Sequence, residues 1–202
     1  MKIALLMEGE TERVFLPYLR EFLAPRLLGR MPKLDPDIYD GRIPKQEKLK
    51  RKVEALIQRG NPSADHVIAL TDVYTGTDDF CNAQDAKDKM RNWVGPNDRF
   101  HPHVAQYDFE AWLLPYWPTI QRLAKHNRTA PAGEPESVDH NHPPSYHIKE
   151  IFRSGQGPRH YTKVRDAKRI LQGQDLGIAA AVCPELRAFL NTILALCEGK
   201  PV

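Results

Sequence analysis

Cysteine is scarce in this chain: Cys81, Cys183 and Cys197 are the only three in 202 residues. Thiols so few and so far apart make neither a disulfide framework nor a C-x-x-C zinc clip, and a reducing cytoplasm is the compartment expected. Long apolar runs are missing too. No stretch approaches the ~20 residues that a membrane-spanning helix needs, so no membrane association is expected. The opening "MKIALLMEGE" has an apolar run too short, and too soon ended by acid, for a signal-peptide core. There is no G-x-x-x-x-G-K-[ST], which excludes ATP hydrolysis through a P-loop. The absence of G-x-S-x-G and of G-x-G-x-x-G argues against α/β-hydrolase and dinucleotide-binding chemistry. Neither sign of charge dominates: the formal net charge is +3, only a weak pointer to a polyanionic partner.

What is present reads as one globular domain, residues 1–202, with 41% hydrophobic and 27% charged residues, ordinary for such a chain. "KIALLM" (2–7) and "HVIALTD" (66–72) are short continuous apolar runs, as in the central strands of a parallel sheet covered on both faces. "LDPDIYD" (34–40) suits an edge strand because Pro36 cannot serve a central ladder. "HPHVAQY" (101–107) reads as a further strand. Between them, Phe15, Leu19, Phe22 and Leu23 recur at helical spacing, with Thr11 as the expected cap and Pro17 as a distortion early in the helix. Leu49, Val53, Leu56 and Ile57 form a second stripe, and "NAQDAKDKMRNWV" (82–94) reads as a surface helix. The order β-α-β-α-β-α-β predicts a mostly parallel sheet flanked by helices. Residues 126–160, which begin "HNRTAPAGEPESVDHNHPPSYH", have no evident period and read as a long mobile loop or variable insertion. Regular helical patterns return in "TKVRDAKRIL" and "CPELRAFLNTILALC".

Three of the expected strands end in acid: Glu8, then Asp72, then Asp108 with Glu110. In an open α/β sheet, ligands bind at the carboxyl ends of strands. Carboxylates gathered there repel one another unless a cation lies between them. Hard oxygen donors without thiols suit Mg²⁺ or Mn²⁺, which can polarise a phosphate and lower the pKa of a bound water. A blander reading stands beside this one. Glu10 and Glu12 serve equally well as charges at a helix N-terminus, and Asp108 as an N-cap for "FEAWLL".

"MEGETE" after the first strand and "LTDVYTGTDDF" after a later one resemble the signature of a topoisomerase–primase (Toprim) domain, which has a Glu after its first strand and a D-x-D after its third. More closely, "EGETERVFLPYLREFLAPRL", "TDVYTG", "QYDFEAWLL" and "HYTKVRDAKRIL…CPELRAFL" together resemble the bacterial family called domain of unknown function 4276, related to Toprim nuclease domains of the OLD type. The resemblance runs over nearly the whole chain in order. It implies a Toprim-like (Rossmannoid) α/β fold, Mg²⁺ or Mn²⁺ as cofactor, and nucleic acid, DNA or RNA, as substrate. It also implies an ABC/AAA-type ATPase encoded nearby as partner, in a mobile-element or anti-phage defence setting. By the same resemblance Glu8 is the general acid/base or metal-proximal carboxylate and Asp72 the first aspartate of the D-x-D. Glu110 matches the acid of an F-E-A motif, and Lys163, in a Y-x-K pattern with Tyr161, is a phosphate contact. The second D-x-D position falls on Tyr74, so Asp78 or Asp79, or Asp108 with Glu110, would have to supply the missing oxygen.

Two basic clusters accompany the acids: Lys45, Lys48, Lys52 and Arg59 on one helical face, and Lys163, Arg165, Lys168 and Arg169. Each is either a phosphate-binding face or a solvated one. "HPH" (His101, His103) and "HNH" (His140, His142) lack the spacing and cysteine neighbours of a zinc site. The sequence therefore predicts a metal-dependent nuclease. Its catalytic residues are Glu8, Asp72, Glu110 and Lys163, and its metal ligands Glu8, Asp72, Asp108 and Glu110. The rivals are a non-catalytic nucleic-acid- or protein-binding regulatory partner of an ATPase, and an interaction protein whose acidic loop binds a basic partner. A homodimer is left open.

Overall fold

The computed structural model describes residues 1–58, 62–73, 79–137, 142–157 and 160–202. Four strands, β1 (Lys2–Met7), β2 (Lys33–Ile38), β3 (His66–Asp72) and β4 (Phe100–Ala105), form one sheet in the order β2-β1-β3-β4. Every pairing is parallel. The expected α/β architecture is the one observed. "LDPDIYD" is indeed an edge strand, with Pro36 beside Leu5, where its missing N–H does least harm.

Successive residues of the inner strands face opposite sides, and the two sides have separate cores. Ile3, Leu5, Met7, Ile68 and Leu70 pack with Phe15, Leu19 and Leu23 of α1 (Glu10–Leu27) and with Phe189, Leu190 and Ile193 from the C-terminal helices. Ala4, Leu6, Val67 and Ala69 pack with Leu49, Val53 and Ile57 of α2 (Gln46–Gln58) and with Ala86 and Met90 of α3 (Ala83–Val94). The continuous apolar runs are thus explained: a strand covered on both faces has no solvent side to alternate toward. No helix among the described residues is long and apolar enough to cross a membrane.

Helix α1 starts two residues earlier than a Thr11 cap would place it. Gly9 is the N-cap residue and no side chain caps the helix. Pro17 and Pro25 both lie within α1. After β4 the chain turns through Tyr107, whose φ of 70° is left-handed, and enters a 3₁₀ turn, Phe109–Trp112. Five further helices follow: α4 (Trp117–Ala124), α5 (Pro144–Ser154), α6 (Lys163–Leu171), α7 (Leu176–Val182) and α8 (Pro184–Leu196).

Helix α5 lies inside the stretch expected to be structureless. Ile148, Ile151 and Phe152 are fully buried, an i, i+3, i+4 triad that anchors one face to the core. Pro144 stands at its first turn, where a missing N–H costs nothing. Its exit is held tightly. A Cβ on Gly155 would lie 2.0 Å from the carbonyl oxygen of Ala124, so only glycine lets the backbones approach this closely.

Candidate metal-dependent active site

The parallel register fixes the first half of the site. Met7 pairs with Leu70, so the residues that follow, Glu8 and Thr71, leave the sheet side by side. The Thr71 hydroxyl donates to Glu8 Oε1. The Asp72 backbone N–H donates to Glu8 Oε2 at 3.3 Å, and the Ile43 N–H also contributes. Glu8 is buried, and burial raises its carboxyl pKa against those hydrogen bonds and the nearby Arg42 charge.

The second half comes from the turn after β4. Glu110 is completely buried. Its Oε1 accepts from the Tyr161 hydroxyl and its Oε2 from Lys163 Nζ, each at 3.3 Å. Asp108 is buried as well, and its side chain does not cap the 3₁₀ turn. Instead Oδ2 accepts the Ser145 N–H at 3.2 Å, in the first turn of α5, where free N–H groups and the helix dipole favour a carboxylate. Asp108 Oδ1 is buried with no hydrogen-bond partner among the described residues. One part of the segment expected to be loose, the start of α5, is therefore a wall of the site. Phe15 joins the halves, its ring centroid 5.6 Å from Phe109 and 5.9 Å from Trp112.

Glu12 belongs to the cluster as well. Expected as a first-turn helix charge, it is 6% exposed, and its pKa is pushed up to about 7 by burial, then by Glu8 and Glu110. The position that signalled this is its spacing: Glu8 and Glu12 straddle the start of α1, and one helical turn carries the second carboxylate back over the strand end. Asp108 is likewise pushed up to about 7, by burial and then by Glu110. Asp72 keeps partial access to solvent yet is raised well above the carboxylate range, by burial first and then by Glu12, Glu8, Asp108 and Glu110. For Lys163, burial is outweighed by Glu110, Asp72 and Asp108, so its pKa rises and the ammonium is held.

Glu8, Glu12, Asp72, Asp108 and Glu110 thus act on one another at the carboxyl edge of the sheet, with Lys163 as a cation among them. Oxygen-only donors suit Mg²⁺ or Mn²⁺. The unpartnered Asp108 Oδ1 and the raised carboxyl pKa values both mark charge that a cation would relieve. The residues fit such an ion in chemistry. Among the described residues, however, no three His, Cys, Asp or Glu side chains close around a single metal position.

Other expected site residues fall elsewhere. Tyr74, Asp78, Arg59 and His140 lie outside the described residues. The Asp79 carboxylate does not supply the missing oxygen, because it pairs with Arg42 and Lys45. Lys52 pairs with Asp37 at 2.5 Å. Arg165 and Arg169 both bind the fully buried Asp166, at 2.8 and 3.2 Å, so they serve the fold. The two histidines of "HPH" are separated. Alternation puts both on one face of β4, but they meet different partners: His101 Nε2 is 3.1 Å from His66 Nδ1, while His103 Nε2 is 2.9 Å from Thr192 Oγ1.

The model of the family called domain of unknown function DUF4276 matches residues 7–194. The chain belongs to DUF4276. No curated protein matches its sequence. Among solved structures, this DUF4276 member is similar to the C-terminal region of the Burkholderia pseudomallei OLD protein at 12% identity, with a TM-score of 0.58, covering 97% of this chain and 98% of that one. It is also similar to the C-terminal region of the Xanthomonas campestris pv. campestris OLD protein at 13% identity, with a TM-score of 0.51, covering 98% and 94%. At such identities the likeness concerns the fold, and it agrees with the Toprim-like reading of the sequence.

Proposed function

We propose that this DUF4276 chain is a divalent-metal-dependent nuclease that cleaves phosphodiester bonds of DNA or RNA. The reading is supported chiefly by five carboxylates and Lys163 whose charges act on one another at the carboxyl edge of the sheet, where α/β folds bind their ligands. Mg²⁺ or Mn²⁺, bound through Asp72, Glu8, Asp108 and Glu110, would polarise the phosphate and stabilise its developing charge. Glu8 is held in place by the Thr71 hydroxyl and the Asp72 N–H. Burial raises its pKa, the direction that suits a carboxyl asked to take and return a proton as a general acid/base. Lys163 orients Glu110 while its side chain stays 49% exposed, which leaves the ammonium able to meet a phosphate oxygen. Tyr161 holds the other oxygen of Glu110. The OLD structures are described as C-terminal regions, so there the fold is part of a longer protein. In this reading an ATPase encoded nearby is the partner here, in a cytoplasmic defence or mobile-element setting.

A second reading, a non-catalytic nucleic-acid- or protein-binding partner of such an ATPase, is favoured by the lack of a closed metal triad among the described residues. Incubation of purified protein with supercoiled plasmid and single-stranded substrates in Mn²⁺ separates the two. The nuclease reading requires cleavage that EDTA abolishes and that Glu8→Gln loses. Binding without cleavage, with or without the ATPase, establishes the second.

A further inference from the structure

Between β2 and α2 the chain places two cations beside the acidic edge. The Ile43 N–H and the Arg42 charge both act on Glu8, and Lys45 feels Glu8 in turn. Arg42 Nη1 and Lys45 Nζ converge on the same atom, Asp79 Oδ2. A guanidinium and an ammonium meeting on one oxygen is the geometry that receives a phosphate oxygen. Lys45 also stands at the start of α2, its carbonyl accepting from Lys48 at 3.1 Å and Leu49 at 3.4 Å. The first N–H groups of this 13-residue helix therefore add positive potential at the same place.

The ion pairs differ in what could replace the acid. Asp166, between Arg165 and Arg169, is fully buried, and losing its partners would strand a charge away from water. The Asp79 side chain is 31% exposed and can turn into solvent. Its backbone need not follow, because Lys89 Nζ holds the Asp79 carbonyl oxygen at 2.8 Å.

We propose that Arg42 and Lys45 form a phosphate subsite for the nucleic-acid backbone, adjoining the phosphate at the carboxylate cluster, with the Asp79 carboxylate as a resident anion that the incoming phosphate displaces. The proposal rests on the nuclease reading for its substrate and adds a position where the strand is gripped without being cut.

The test is binding of a fluorescent single-stranded oligonucleotide, followed by anisotropy in Ca²⁺ over a range of salt concentrations. Arg42→Gln/Lys45→Gln should weaken binding about tenfold and lower the salt slope by about 1.4, from two lost contacts at ~0.7 each. Asp79→Asn keeps the shape and removes the competitor, so it should tighten binding on the order of threefold. A mere brace would give the opposite sign. Circular dichroism checks each fold, and Lys45→Gln alone serves if the double variant is unfolded. Wild-type affinity in the cation variants, or unchanged or weaker binding by Asp79→Asn, overturns the subsite while leaving nucleic-acid binding intact. If wild type binds no oligonucleotide, the nuclease reading fails, and inorganic phosphate decides the subsite. A wild-type melting temperature raised by millimolar phosphate, with no rise in the cation variant, supports it; equal responses overturn it.

Discussion

Glu8 and Asp72 are held by the sheet, whereas Asp108 and Glu110 are held by groups that arrive from much later in the chain. The first pair needs only the β1–β3 register and Thr71. The second depends on Ser145 in α5 and on Tyr161 and Lys163 at the start of α6. The difference separates two kinds of dependence. The strand-end acids can lose their charge without losing their scaffold. The acids after β4 are tied to whether the α5–α6 region is folded over them.

The largest expected effect breaks function in the first pair and spares the fold. Glu8→Gln and Asp72→Asn should each lower Mn²⁺-dependent cleavage by on the order of 10²-fold or more. Their melting temperatures at pH 8 should be unchanged or higher, because both carboxyl pKa values are raised by burial and neighbouring acids and neutralisation relieves that strain. A fall in both activity and stability would place these residues with the second pair.

In the second pair, Lys163→Met should cost roughly 3–5 kcal/mol of unfolding free energy, since it leaves the fully buried Glu110 without its cation. Ile148→Ala should cost roughly 2–5 kcal/mol as a cavity beneath α5. It should also weaken Mn²⁺ binding in calorimetry, by loosening the helix end on Asp108. Hydrogen exchange as fast in α5 as in an exposed loop would return that segment to the sequence expectation.

Between these lies a pH effect shared by both halves. Glu12 rises from 4.5 to about 7 and Asp108 from 3.8 to about 7. A carboxyl whose folded pKa is raised contributes stability that is full below its unfolded value and is lost as pH climbs through the folded one. Urea unfolding in EDTA should therefore show stability falling between about pH 4 and 7, by on the order of 3 kcal/mol for each group. Mn²⁺ at pH 8 should restore much of it. A flat profile would mean that the carboxylates do not share one environment. The smallest effect is Glu10→Gln, an exposed first-turn charge paired with Arg13 at 3.4 Å, worth a few tenths of a kcal/mol. Glu12→Gln should instead follow Glu8→Gln in cleavage, which separates the two acids of "EGETE" residue by residue.

Much of this was legible because its cause is local. A buried parallel strand shows as an unbroken apolar run, so "KIALLM" and "HVIALTD" revealed both the sheet and the acids at its edge. Asp108 and Glu110 could be named, but what holds them could not, since no local pattern says that Ser145, Tyr161 and Lys163 return to them. Glu12 was hidden by an equally good local role at the helix start. The α5 triad Ile148, Ile151 and Phe152 was present but short, and the Pro- and His-rich residues before it obscured its period. Asp79 is one of several acids the sequence offers for the missing oxygen, and its pairing is not legible there, because Arg42 and Lys45 lie in the preceding βα connection, outside any motif.

In the proposed site, carboxylates from both halves bind one divalent-metal centre. Crystals soaked in Mn²⁺ and measured at the manganese absorption edge test it most directly. An anomalous peak is expected within ~2.0–2.3 Å of an oxygen of Asp72 or Glu8 and of an oxygen of Asp108, Glu110 or Glu12. A fully soaked crystal with no peak at the carboxyl edge of the sheet, or with manganese bound only elsewhere, would contradict it.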